Sequence, residues 1–508
     1  MSSRSARFAV LLLWNSAAFV VALVSAFVIN PLVVRGLGIE AYGVWALVFS
    51  LLDYLNIADL GIRSATVKYV AHYSTLNDQD QLYKTLNASL LYFLSIAAIL
   101  ASVIFLFARI SVAFFHIPPV LTEDYVLLLR LTGITIAFQL LFNVPKAALE
   151  GIQEFPAISR INICVSTIRA TLSLLALHFH LGLAGLGWAT VIATWCGFVI
   201  LIWVFRRHFP DFSVAPHDFD RAMFRQLFRY GVPSLVGSVA GQFLYSGPVV
   251  LLGILKDAAS VGYYSLVLRL LAGLYELLSQ AAGITTSAMA RLAAEDAQTA
   301  MRRAVLYLNR YAFALFHFVF VFLLLFGDSL FTLWVGPTVA AQCRPIIPWL
   351  AFGYAYGYAA HQNSIGTLFG LAAHQWFSYG LLIESAILLG GWFFFIPSQP
   401  LWFAAAWWGI SLFLSRGLRP TWHVARTLHI SFAGLLGGIY IRPLVASALT
   451  ATLGIVLLRT MPPSDWYSLL AIAATLGLFH LACCFVLVLA PDHRQLILNF
   501  RAALRGAA

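Results

Sequence analysis

Residues 206–229 read RRHFPDFSVAPHDFDRAMFRQLFR and lie between two long, strongly apolar parts of the chain. This stretch holds five arginines and three aspartates. Pro210 and Pro216 interrupt any continuous helix through it, because proline cannot donate the backbone hydrogen bond that a helix interior requires. Charged side chains are costly in hydrocarbon, so such a segment lies outside a membrane. We interpret it as a cytoplasmic connector between two membrane-embedded lobes.

The composition is that of a polytopic membrane protein. Of the 508 residues, 61% are hydrophobic and only 10% are charged, whereas soluble chains carry about 25% charged residues. The five cysteines have no metal-ligand spacing and are interpreted as packing residues. The apolar run that begins at Phe8 is too long for a signal peptide, so we expect an uncleaved first helix.

Apolar runs of membrane-spanning length recur along the whole chain. A transmembrane helix needs about 20 apolar residues, and runs near that length predict an all-α, polytopic membrane protein with about 14 transmembrane helices. The runs are 8–33, 41–62, 86–108, 123–145, 157–178, 183–205, 230–254, 261–288, 306–327, 346–369, 376–396, 400–415, 440–458 and 466–490. The twelfth is the shortest, because Arg416 and Arg419 interrupt it.

The positions of the basic residues predict the orientation. With the N-terminus in the cytoplasm, 23 of the 31 Lys and Arg residues fall in segments on the cytoplasmic side and five fall outside. Cytoplasmic segments of membrane proteins carry such an excess. We therefore predict a multi-pass protein of the cell (inner) membrane with both termini cytoplasmic. The same bias explains the net charge of +11 without nucleic acid.

Sequence matches separated by 219 residues predict an internal repeat. They are Gly43 with Gly262, Gly151 with Gly370, and Trp188 with Trp407. Six predicted helices separate equivalent points, so the repeats run in parallel, related by an axis along the membrane normal, with a site between the lobes. The predicted organisation is a six-helix lobe (1–206), the connector (207–229), a second six-helix lobe (230–426), and two additional helices with a cytoplasmic tail (427–508).

Three short motifs carry a resemblance to a known family. They are GLGIEAYG at 36–43, ADLGI at 58–62 and LEGIQEF at 149–155. With the two lobes and two extra helices, the chain resembles the polysaccharide-biosynthesis (Wzx-type) flippases of the multidrug/oligosaccharidyl-lipid/polysaccharide flippase superfamily. The resemblance implies that an undecaprenyl-diphosphate-linked oligosaccharide is moved to the outer leaflet by alternating access. It implies a monomer among membrane lipids, with polysaccharide polymerase machinery as a candidate partner.

Arginines inside the apolar runs are the candidate substrate ligands. Arg169, Arg269 and Arg130 lie within predicted helices, where a guanidinium needs a polar cavity or an ionic partner. A diphosphate suits arginine, because the planar fork can donate two hydrogen bonds to its oxygens. The alternative is that each arginine neutralises an internal acid or extends to the interface. Arg269 shares a helix face with Glu276, which favours such a pairing.

Acids in or near the runs are the candidate coupling-ion sites. Asp53, Glu384 and Glu276 are the residues chosen, because a buried carboxyl group can take up a proton or hold a cation. Asp59 precedes Arg63 by four residues, so a helical ion pair is the favoured interpretation there.

Further polar residues in the runs fit either a sugar-accommodating cavity or hydrogen bonds between helices, which are the commoner use. They are Asn15, Asn30, Gln139, Asn143, Gln242, Gln280, Gln362 and Asn363. His361 is interpreted as a buried, hydrogen-bonded histidine.

Three functions remain open, two of them transport functions and one an enzyme. The first is the lipid-linked oligosaccharide flippase, and the second is an ion-coupled drug or metabolite exporter of the same superfamily. The third is a polytopic membrane enzyme such as a polysaccharide polymerase, which usually carries a long polar loop with catalytic residues. The sequence contains no Walker A loop, no dinucleotide-binding glycine motif and no metal-ligand cluster, so no cofactor is expected.

Overall fold

The structure, a computed structural model, describes residues 3–214, 220–279, 282–373 and 375–506, and every regular element in them is helical. The helices are α1 (Ser3–Leu37), α2 (Ile39–Leu55), α3 (Ile62–Leu76), α4 (Gln79–Phe107), α5 (Ser111–Phe114), α6 (Thr122–Gly151), α7 (Phe155–His178), α8 (Gly182–His208), α9 (Arg221–Tyr245), α10 (Gly247–Leu255), α11 (Ala258–Ser279), α12 (Ala282–Ala294), α13 (Gln298–Val335), α14 (Pro337–Cys343), α15 (Ile347–Phe352), α16 (Gln362–Gly370), α17 (Gln375–Phe395), α18 (Leu401–Leu412), α19 (Arg419–Thr427), α20 (Phe432–Thr460), α21 (Trp466–Cys483) and α22 (Pro491–Gly506). Short 3₁₀ turns cover Asn56–Asp59, Pro119–Leu121 and Ile396–Ser398. The π-helical segments are Gly353–Ala359, Phe413–Leu418 and Cys484–Val488.

The all-α, polytopic prediction is confirmed. Among the described residues, 11 helical segments are long and apolar enough to cross a membrane, and each corresponds to one of the 14 predicted runs. The other three predicted runs, 230–254, 346–369 and 400–415, are each divided between consecutive helical segments. The second of these contains the buried π-helical segment Gly353–Ala359. Irregular backbone at membrane depth is tolerated where protein surrounds it, so an apolar run alone does not give the helix boundaries of such a segment.

The chain divides into two compact units, Met1–Ser265 and Leu266–Ala508. The unit boundary lies within α11, beyond the predicted connector. Part of that connector, residues 215–219, lies outside the described residues. The predicted lobe boundaries and the predicted orientation in the membrane stay predictions.

Helix boundaries recur at the predicted offset of 219 residues. Helix α2 begins at Ile39 and α11 at Ala258, while α4 begins at Gln79 and α13 at Gln298. Helix α8 (Gly182–His208) corresponds to the segment from Leu401 to Thr427, which comprises α18, a π-helical segment and α19. The two halves of the repeat therefore share an element order, but the second half contains π-helical turns where the first has continuous α-helix.

Glycines of the repeat make equivalent contacts. A methyl group on Gly151 would lie 3.1 Å from the carbonyl oxygen of Val67, and one on Gly370 would lie 2.7 Å from that of Thr286. Val67 and Thr286 are themselves 219 residues apart. Both glycines end a helix that packs closely on a neighbouring helix, so the sequence match at Gly151 and Gly370 reflects the same close approach in each repeat.

Helices α2 and α11 cross at a reciprocal glycine contact. A methyl group on Gly262 would lie 2.6 Å from the carbonyl oxygen of Ile39, and one on Gly43 would collide with the carbonyl oxygen of Ala258. Ile39 and Ala258 are equivalent in the repeat, as are Gly43 and Gly262. Each helix therefore presents the same position to its partner, and small residues permit the close backbone approach.

Candidate functional site

A buried ion pair joins α17 to the π-helical segment after α18. The Nε atom of Arg416 lies 3.4 Å from Oε1 of Glu384, and the two side chains are only 6% and 3% exposed. The sequence interpretation that Arg416 interrupts the twelfth run is wrong, because the helix continues through it and the side chain is buried. Glu384, a candidate coupling site, thus has a cationic neighbour that the sequence did not predict.

A second arginine and an aromatic ring lie beside this ion pair. The guanidinium of Arg419 occupies the space that a side chain at position 380 would need, so Gly380 makes room for it. The guanidinium carbon of Arg416 lies 5.1 Å from the centre of the Tyr358 ring, within range of a cation–π interaction. Tyr358 and Arg416 both belong to π-helical segments, which occur frequently at functional sites. We call Glu384, Arg416 and Arg419 the charged cluster.

A buried hydrogen-bond network lies next to the charged cluster. Nδ1 of His361 lies 2.6 Å from the Thr421 hydroxyl, and Nε2 lies 2.5 Å from the Tyr440 hydroxyl. The Thr421 hydroxyl donates to that of Ser364 at 2.9 Å, and Asn309 donates to Ser364 at 2.8 Å. The interpretation of His361 as a buried, hydrogen-bonded histidine is confirmed.

Two of the predicted polar residues also make hydrogen bonds between helices. Thr285 donates to Oδ1 of Asn363 at 2.7 Å, and Tyr275 donates to Oε1 of Gln362 at 2.5 Å. These bonds join α12 and α11 to α16, which supports the hydrogen-bonding interpretation at both positions. Gln280 and the side chain of Asn15 lie outside the described residues.

The N-terminal repeat builds the same junction from apolar residues. The residues that lie 219 positions before the charged cluster and its neighbours carry no charge. They are Phe142 for His361, Ile161 for Gly380, Val165 for Glu384, Gly197 for Arg416 and Ile200 for Arg419. Four of the five belong to one hydrophobic cluster between α6, α7 and α8, and the fifth, Gly197, packs directly on Val165. This fold can therefore form the junction without charges, and the C-terminal repeat carries them for another reason.

In the N-terminal unit, Asp53 and Arg63 have different environments. The Asp53 side chain is exposed and accepts a hydrogen bond from the Ser246 hydroxyl at 3.1 Å. The guanidinium of Arg63 donates to both carboxylate oxygens of Glu150, at 2.5 and 2.6 Å. Asp59 accepts instead from the backbone amide of Arg63 at 2.8 Å. The structure therefore has a side chain–backbone hydrogen bond at Asp59 and an ion pair between Arg63 and Glu150, in place of the helical ion pair favoured from the sequence.

The candidate substrate arginines are placed as follows. Arg169 lies on the exposed face of α7, and Arg269 is half-buried in α11. The guanidinium carbon of Arg130 lies 5.9 Å from the Phe105 ring centre. Glu276 is exposed and lies seven residues, or about two turns, after Arg269 on α11. Arg169, Arg130 and Asp53 belong to the N-terminal unit, and Arg269, Glu276 and Glu384 to the C-terminal unit.

Sequence reasoning missed Arg416 and Arg419 as residues of the site. A usable signal was present in the repeat, because the offset that aligns Trp188 with Trp407 also aligns Arg416 with Gly197 in the middle of a continuous run. The charges were instead taken to mark a helix end.

Among the residues that the structure describes, eleven apolar spans, an internal repeat and charges held within the spans define a polytopic membrane protein. The chain belongs to the polysaccharide biosynthesis protein family, whose profile matches residues 12–288, more than half of its length. The match confirms the predicted resemblance to polysaccharide-biosynthesis proteins.

Relatives and solved structures agree with this family. The chain is 23% identical over 257 residues to a candidate O-antigen transporter of Shigella flexneri, covering 50% of this chain and 59% of that protein. It is 24% identical over an alignment of 532 positions to the membrane protein EpsK of Bacillus subtilis (strain 168), covering 97% and 98%.

Two solved structures show the same fold. The lipid II flippase MurJ in an inward closed conformation matches with a TM-score of 0.74 at 13% identity, covering 96% of this chain and 100% of that one. An inward-facing multidrug resistance MATE family transporter of the MOP superfamily matches with a TM-score of 0.65 at 14% identity, covering 83% and 95%.

Proposed function

We propose that this protein moves an undecaprenyl-diphosphate-linked oligosaccharide from the cytoplasmic to the outer leaflet of the cell membrane, by alternating access, for cell-surface polysaccharide synthesis. The observation that carries the proposal is the membership of a polysaccharide biosynthesis family combined with arginines inside the spans of a flippase-type fold. A headgroup with a diphosphate needs cationic ligands within the membrane, whereas the lipid tail can stay in the bilayer.

Arg169 and Arg269 are the proposed diphosphate ligands, with Arg130 as a third candidate. Arg169 is exposed on a 24-residue spanning helix, and hydrocarbon is an unfavourable environment for a guanidinium, so an aqueous or anionic neighbour is required. Arg269 is half-buried within the span Ala258–Glu276. Charge-assisted, bidentate hydrogen bonds to phosphate are among the stronger polar contacts available to a protein.

Asp53, Glu384 and Glu276 are the proposed coupling residues. Asp53 is an exposed carboxylate within a span and is linked through Ser246 to Gln242, which donates to the serine at 2.8 Å. Glu384 differs from it, because it is buried beside Arg416. An exposed acid can exchange a cation or proton with water directly, whereas Glu384 can do so only after the ion pair separates.

Complementation of a deletion strain tests the proposal. Alanine at Arg169 or Arg269 should reduce surface glycan by roughly tenfold or more, since a hydrogen bond to a charged group contributes about 1.5–3 kcal/mol. Lysine should retain part of the function, because it keeps the charge without the bidentate geometry. Arg160→Ala is the matched control, since this arginine is exposed on the same helix as Arg169.

Protein levels in the membrane separate function from folding. Near-normal glycan from both alanine variants, at normal protein levels, would reject these ligands. Unchanged glycan in the deletion strain itself, together with altered drug susceptibility, would reject the flippase and favour the exporter.

A further inference from the structure

A second basic site lies between α3 and the start of α9, apart from the arginines inside the spans. A pocket of about 570 Å³ is lined there by Tyr69, Ala222, Arg225, Gln226, Arg229 and Tyr230. We call it the α3–α9 pocket. Its volume falls in the range of small-molecule sites, roughly 300–1,000 Å³. None of the described residues that line it is acidic, so the pocket is positively charged.

The fold of α9 directs its arginines away from the core. Asp220 caps the helix by accepting from the backbone amides of Ala222 and Met223, at 2.7 and 3.1 Å. Met223 and Leu227 are buried in the hydrophobic core of the N-terminal unit. Arg225 and Arg229 are one turn apart and exposed. The amphipathic pattern therefore fixes one side of α9 against protein and leaves its guanidinium groups available.

Beside the pocket, Lys68 of α3 lies close to one tyrosine of each helix. Nζ of Lys68 lies 4.1 Å from the ring centre of Tyr230 and 4.8 Å from that of Tyr69, and the two tyrosine rings meet edge to face at 6.2 Å. Phe228 and Tyr230 are 40% and 45% exposed. Basic groups beside exposed aromatic rings are typical of helices at the membrane–water interface.

From these contacts we propose that the α3–α9 pocket binds the phosphate of a lipid headgroup at the cytoplasmic membrane surface. Arg225 and Arg229 supply the charge-assisted hydrogen bonds that phosphate oxygens accept. Gln226 adds an amide donor, and Tyr230 and Phe228 offer an apolar surface to the adjoining acyl or prenyl chain. The proposal relies on the predicted cytoplasmic position of the connector, and it does not depend on the roles of Arg169 and Arg269.

Lipid titration of the purified full-length protein tests this site. Thermal unfolding in detergent is measured against increasing phosphatidylglycerol in one arm and undecaprenyl diphosphate in the other, both over a phosphatidylcholine background. Arg225→Gln and Arg229→Gln should each weaken binding of at least one anionic lipid about fivefold, the effect of one basic residue near an anionic surface. Weaker binding of phosphatidylglycerol by the variants identifies a membrane phospholipid as the ligand. Weaker binding of undecaprenyl diphosphate identifies a polyprenyl diphosphate.

Arg221→Gln is the matched control. It makes the same charge change on the same helix, but Arg221 does not line the pocket, so binding should change less than twofold. Equal losses in all three variants would show a general surface-charge effect and overturn the proposal. Unchanged binding of both lipids in the Arg225 and Arg229 variants would overturn it as well. Surface glycan lost at Arg169→Ala but kept at Arg225→Gln would separate this site from the proposed transport site.

Discussion

Breaking the Glu384–Arg416 pair should be costly, and removing both charges together should not. The variants are Glu384→Leu, Arg416→Met and the double substitution, which replace each charged side chain with an apolar one of similar size. At an effective dielectric constant of about 20, unit charges 3.4 Å apart attract by about 5 kcal/mol. Desolvation of the two groups offsets much of this attraction, because both side chains are almost fully buried.

Glu384→Leu leaves Arg416 buried without a carboxylate, which typically costs about 3–5 kcal/mol. Arg416→Met leaves Glu384 with Arg419 as its remaining cationic neighbour, so its cost should be smaller. The double variant should lie within about 2 kcal/mol of the wild-type protein, because an apolar replacement of a buried pair is often neutral. Unfolding in mixed detergent–SDS micelles, followed by circular dichroism, measures the three free energies. If the double variant loses the sum of the two single losses, to within about 0.5 kcal/mol, the two residues are not coupled and the argument fails.

The double variant also separates fold from function. The N-terminal repeat forms the equivalent junction with Val165 and Gly197, so a folded variant without the ion pair is physically reasonable. If the charged cluster takes part in transport, this stable variant should support little surface glycan. Wild-type glycan from the double variant would show that the charges are dispensable for transport.

Two other predictions concern packing and orientation. Gly43→Ala should destabilise the protein and lower its level in the membrane, because the added methyl group collides with the backbone of α11. Gly390→Ala is the control and should be tolerated, because this helical glycine has open space around it. Equal membrane levels of the two variants would contradict the crossing of α2 and α11. Reporter fusions within residues 206–214 and at both termini should report the cytoplasm, since those segments carry the excess of basic residues; a connector reported outside would overturn the predicted topology.

Hydropathy predicted most spans because a continuous helix in lipid needs a continuous apolar run. It gave the wrong helix boundaries where protein, and not lipid, surrounds the backbone. The segment 346–369 contains buried π-helical turns, and 400–415 continues through Arg416 into α19. A charge in such a sequence looks like a helix end, and only its burial beside Glu384 shows otherwise. The glycine matches indicated the repeat correctly, because the close backbone approach at Gly151 and Gly370 leaves no space for a larger side chain.

Ion pairs were harder to predict than helices. Arg63 has an acid four residues away, yet its guanidinium bonds Glu150, which is 87 residues distant. Local spacing predicts which side chains share a helix face, but the choice of partner depends on which helices pack together. The Glu150 carboxylate accepts from the guanidinium, and the Asp59 carboxylate accepts from the backbone amide of Arg63.

The reciprocal contact between α2 and α11 has a genetic consequence. Position 43 meets the backbone at 258 while position 262 meets the backbone at 39, which is the pattern of a two-fold interface between identical subunits. In a homodimer, every mutation appears on both sides of such an interface. In one covalent chain the two copies mutate separately, so one gene segment can acquire a glutamate and arginines while its duplicate keeps valine and glycine. Specialisation of one half then requires no second gene and no selective assembly of unlike subunits.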